Sequence, residues 1–169
     1  MNYIFRLFVL CLFFLPDSGD AQTNTNHSSF EFAIYCLKDT LITAAQAAKL
    51  PLDGLELASY PLLTARDIKK YHWSTHQFDL QTRTDSVLNK IALARYKSAG
   101  MPFVVIAGKI RIYLGTFWWW YSSAMPPVAY IDLPRVTPRI SLRPSGRQPD
   151  LRNDQRIHDA LLSAGVLVD

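Results

Sequence analysis

The chain has 169 residues, 49% hydrophobic and 19% charged, with a net charge of +4. That is the size of one ordinary domain with a real core. Two cysteines exclude a disulfide scaffold, and no apolar stretch reaches the roughly 20 residues needed to span a bilayer.

The N-terminus "MNYIFRLFVLCLFFLPDSGDAQ" reads as a secretory signal peptide over 1–21. Arg6 supplies the positive region, Leu7 to Leu15 the apolar run and Pro16 its end, and the small residues around Ala21 mark cleavage. Leu10 stands where a lipoprotein signal needs a small residue before Cys11, so lipidation is not expected. Removing Arg6, Asp17 and Asp20 from 18 basic and 14 acidic residues leaves 17 and 12 in the mature chain. Only Cys36 then remains, in the apolar stretch "FAIYCL", where a buried thiol is expected. The expected location is periplasmic or secreted. "NHS" at 26–28 is a glycosylation acceptor pattern if the source is a eukaryote.

Residues 22–29 form a polar, flexible leader, and 30–169 a single α+β domain. "FEFAIYCLK" alternates as a strand does. "TAAQAAKLP" predicts a helix, with Thr43 and Gln46 as a capping box and Pro51 as the stop. "GLELASYPLL" predicts a strand. "TARDIKKY" predicts a short helix, because Thr64 and Asp67 repeat the capping pattern. "THQFDLQT" predicts a strand with Phe78 and Leu80 on one face. "TDSVLNKIALARYKSAG" is the clearest amphipathic helix, closed by Gly100. "PFVVIAGKIRIYLG" predicts a hairpin turning at Ala107-Gly108-Lys109. "PVAYIDL" predicts another strand, and 134–149 is an irregular Pro/Arg-rich segment. The last element, "DQRIHDALLSAGVLV", predicts a helix capped by Asp154 and stopped by Gly165, burying Ile157, Leu161 and Leu162. Interspersed strands and helices around one strong hairpin predict a largely antiparallel sheet with helices packed on one face.

The order "PLLTARDIKKY", strand, long helix, "GMPFVVIAGKIRIYLG" resembles the periplasmic head subdomain of SecD-type protein translocase subunits. Leu63 to Ile68 stands for that family's first turn and helix, and Phe103 to Lys109 for its hydrophobic hairpin. The resemblance covers about residues 60–116. It implies a similar subdomain fold and a non-enzymatic role outside the cytoplasm; it does not extend to the family's transmembrane helices or to translocation.

Chemistry-bearing residues are few. His72 and His76 have the i, i+4 spacing of zinc-binding histidines on a helix, but they fall at a turn and no third ligand is near in sequence. Two partly exposed histidines are expected there, with no metal and no cofactor. Ser122, Ser123 and Asp132 offer the parts of a hydrolase without a Gly-x-Ser-x-Gly elbow. Arg135, Arg139, Arg143, Arg147, Arg152 and Arg156 recur every four or five residues, as a solvated surface or an anion site. Export argues against nucleic acid as ligand.

The run Phe117-Trp118-Trp119-Trp120-Tyr121 admits two readings. In a strand, Phe117, Trp119 and Tyr121 share one face, and Trp118 and Trp120 the other. Either the run is core beneath segment 126–149, or Trp118 and Trp120 form a stacking platform. The contact surface expected on the second reading is Trp118, Trp119, Trp120 and Tyr121, with Arg111 and Tyr113 on the adjoining strand. The expected function is an exported, non-enzymatic binding or protein-interaction module with a protein or glycan partner in the cell envelope. The alternative is an exported hydrolase pairing a histidine with Ser122 or Ser123.

Overall fold

The computed structural model describes residues 31–82, 100–119, 121–133, 139–141 and 149–169. At its centre is the hairpin of β5 (Met101–Ala107) and β6 (Ile110–Trp119). Ala107 faces Ile110, so Gly108 and Lys109 alone make the turn. Gly108 has φ +64°, as the first position of such a tight turn requires. Val105 faces Tyr113 but Ile106 faces Arg111, so Ile112 is the extra residue of a β-bulge. Gly115 lies opposite Phe103, and a Cβ there would sit 2.3 Å from the Phe103 ring.

On one side of the hairpin, β1 (Phe32–Cys36) pairs antiparallel with β5, and β2 (Leu63–Thr64) with β1. On the other, β7 (Ala129–Leu133) runs parallel to β6, and β8 (Ile140–Ser141) antiparallel to β7. The strand order is β2-β1-β5-β6-β7-β8. A second sheet has the order β4-β3-β9, with β3 Ile68–His72, β4 Gln77–Leu80 and β9 Leu167–Val168. β3 and β4 are antiparallel; β9 is parallel to β3.

The two sheets form one curl. A three-residue 3-10 turn, Ala65–Asp67, leads β2 directly into β3. At the far end Gln77 bridges to Arg139, and the Ile140 N–H donates to the His76 carbonyl at 3.1 Å. The principal core fills the concave side: Phe32, Ile34, Tyr71, Phe78, Phe103, Val105, Phe117 and Ile131 meet Ile157, Ala160 and Leu161 of α2 (Gln155–Ser163). Complete burial of such side chains stabilises by about 1.5–3 kcal/mol each. Val104, one residue along β5, points the other way and meets Leu37, Leu55 and Ala47 of α1 (Ala44–Ala47).

The α+β, largely antiparallel expectation holds in outline, with strands predominating. Packing of the helices on one face is not seen among the described residues: α1 packs with Val104 and α2 with the core that holds Phe103 and Val105, and β5, apolar at every position from Phe103 to Ala107, has two faces to cover. The helix expected at "TARDIKKY" is also corrected. Thr64 and Asp67 do form a capping box, with the Thr64 N–H donating to Asp67 Oδ2 at 2.9 Å. It opens only the 3-10 turn, after which extended backbone buries Ile68 and Tyr71 and leaves Lys69 and Lys70 exposed. "GLELASYPLL" contributes β2 and an isolated bridge from Leu57 to Leu37. Leu162, expected buried, is 59% exposed. The expected signal peptide, the expected leader, the expected helix from Thr84 up to Gly100 and most of 134–149 lie outside the described residues. No helix among the described residues is long and apolar enough to cross a membrane.

Candidate functional site

A cavity of about 520 Å³ opens where segment 48–55, β6, the entry to β7 and residues 149–152 meet. Its lining side chains are mostly apolar, Leu52, Leu55, Ile112, Leu114, Val128 and Ala129 among them, while close to half of the surface they and the backbone expose is polar. Leu50 and Leu151 also line it and are exposed at its mouth. Arg111 holds one wall in place. Its Nη1 donates to the carbonyls of Leu52 and Leu55, both at 2.7 Å, fixing the 3-10 turn Leu52–Gly54 against β6.

Two lining residues carry polar tips, Tyr113 and Arg152. Arg152 forms a two-pronged pair with Asp150: Nε donates to Oδ1 at 2.9 Å and Nη2 to Oδ2 at 2.7 Å. Its Nη1 donates to the Ile140 carbonyl at 2.8 Å, tying this turn to β8. Asp150 Oδ1 also accepts the Arg152 N–H. These hydrogen bonds hold the Asp150 carboxyl below its ordinary range.

Behind the pair lies a buried polar group. The Tyr71 hydroxyl and His76 Nδ1 share a hydrogen bond at 3.1 Å. Tyr71 stacks on Phe78 with centroids 6.0 Å apart, and Trp73 presents edges to His76 and His158 at 5.5 and 5.0 Å. Burial pushes the Tyr71 and Tyr113 hydroxyls up. Burial, then the Arg152 charge, pulls His76 down to about 4, against an opposing effect of Asp150. At neutral pH the imidazole and both phenols are therefore uncharged, and Asp150 is ionised and paired.

The residues expected to form the contact surface are mostly elsewhere. Trp118 and Trp119 end β6 at 6% and 3% exposure. The Trp118 ring packs over Gly100, where a Cβ would lie 2.6 Å from its Cε3. Neither indole offers an open stacking face. Tyr121 is 66% exposed; Trp120 lies outside the described residues. Tyr113 is buried and Arg111 is turned onto backbone carbonyls, so this set shares no single surface. The cavity collects Tyr113 and the wall pinned by Arg111, and leaves the aromatic run aside.

His72 and His76 do not converge. His72 Nδ1 lies 3.6 Å from Asp169 Oδ1, while His76 faces Tyr71. Among the described residues no group of three His, Cys, Asp or Glu side chains is placed to hold a metal. Ser122 Oγ accepts the Ala124 N–H, and no histidine–serine hydrogen bond forms among the described residues. Of the regularly spaced arginines that are described, Arg139 donates to the Thr75 carbonyl, Arg152 pairs with Asp150 and Arg156 with Asp154. Cys36 is half-buried and free, its thiol pushed up to about 11 by burial.

Sequence reasoning passed over Asp150 and Tyr71. A signal was present in "DLRNDQR", which repeats Asp-x-Arg twice. In each copy the aspartate accepts both the N–H and the Nε of the arginine two residues on. Comparison of the chain with protein-family models, curated proteins and solved structures found no match.

Proposed function

We propose that the chain is an exported, non-enzymatic binding module that takes a small, largely apolar ligand in the cavity between the Leu50–Leu55 wall and Arg152. The observation that carries this is the cavity itself: about 520 Å³, lined mostly by apolar side chains with exposed leucines at its mouth, and with Arg152 as its one charged lining residue among those described. Those are the ordinary dimensions and chemistry of a small-molecule site. The groups behind it are matched to one another: His76 lies well below neutrality and both tyrosines well above, so none of them is poised for acid–base work near pH 7. The export part rests on the N-terminal sequence. The aromatic run lends less support to a protein or glycan partner, since its two described indoles are buried.

The test is a fluorescence titration with N-phenyl-1-naphthylamine, a neutral apolar probe. The native chain should show saturable enhancement. Ala48→Trp, at an exposed lining position, should abolish it while leaving the melting temperature unchanged. Trp118→Ala should cost about 3–5 kcal/mol of stability, as expected of a core aromatic, and retain probe binding while folded. Absence of saturable enhancement, or equal binding by Ala48→Trp, overturns the proposal.

A further inference from the structure

Resting on that reading, we infer that the cavity selects a neutral ligand tipped with a hydrogen-bond acceptor, such as an amide or ketone on an aliphatic body, over the corresponding carboxylate. Arg152 is the only charged residue in the described lining, and on its own it would favour an anion. Asp150 changes that. A guanidinium has five N–H groups; two are used on Asp150 and one on Ile140. The charge is matched by a carboxylate bonded through both oxygens, yet two N–H groups have no partner among the described residues. The site therefore offers donors without net charge.

A carbonyl entering here accepts a hydrogen bond from a charged donor, the stronger kind. A carboxylate entering here sheds its hydration among Leu and Val side chains and meets an already neutral pair, with Asp150 repelling it. Arg111 pulls the other way, but its Nη1 is turned onto the carbonyls of Leu52 and Leu55 and it is not part of the lining. The Tyr113 side chain is buried and its phenol uncharged, so it brings no charge to the site.

Octanamide and octanoate share one body and differ at the tip. Displacement of N-phenyl-1-naphthylamine from the full chain at pH 7 should need roughly tenfold less octanamide than octanoate. Asp150→Asn, which frees the guanidinium charge, should reverse the order. If the probe binds the native chain and octanoate displaces it as well as or better than octanamide, the inference is overturned while the binding reading stands. If neither probe nor ligand binds, both fall. The native-chain comparison decides by itself, so misfolding of the variant leaves no gap.

Discussion

His76 joins three parts of the molecule. Its ring reaches Tyr71, its N–H donates to the His72 carbonyl at 2.7 Å, and its own carbonyl receives β8 through Ile140. It does so at φ +54°, a left-handed backbone that side chains other than glycine adopt seldom. Its neutrality has a consequence for pH. The folded value of about 4 lies below the unfolded value of 6.5, so the unfolded chain binds the extra proton first. The stability this site contributes is fully present above pH 6.5 and is lost as pH falls toward 4, up to about 3 kcal/mol. Asp150 and Asp154 are also depressed, but from an unfolded value of 3.8, so their loss begins below that window. Urea midpoints at pH 7, 5.5 and 4.5 should fall steadily for the native chain, and His76→Gln should be less stable at pH 7 but flatter across the same range. Equal slopes would remove His76 from this role.

Among the elements, α2 shows how sharply a face is set. Leu161 is completely buried and Leu162, its neighbour, 59% exposed. Leu161→Ala should cost about 2–5 kcal/mol and Leu162→Ala no more than about 0.5, read from chemical denaturation. What was legible in the chain follows the same logic. The β5–β6 hairpin could be read because a Gly turn separates two apolar runs. The helix caps could be read because Asp154 and Thr43 act on N–H groups two or three residues away. Long-range choices could not. Nothing local distinguishes the Thr64–Asp67 box of a helix from that of a 3-10 turn, and nothing in "PVAYIDL" announces a parallel partner. The alternation of the aromatic run was legible, but whether Trp118 is covered depends on residues distant in sequence. The cavity is still less legible, since its lining comes from four separate segments. Only the Asp-x-Arg repeat marks it locally.

At the scale of the whole molecule, the curl and the cavity have a common origin. β6 carries the bulge at Ile112, and that residue and the two after it line the recess. Arg152 bonds to β8 on one side and lines the recess on the other. The concave core and the opposite α1 face meet β5 from two sides, and the recess lies beside β6 and the entry to β7. On the proposed function, ligand enters this recess and not the aromatic run. The most direct measurement is a 1H–15N shift map of the labelled full chain during titration with octanamide. Shifts are expected at Leu52, Leu55, Leu114, Ala129 and Arg152, saturating together. Shifts centred on 117–121, or none anywhere, would contradict it.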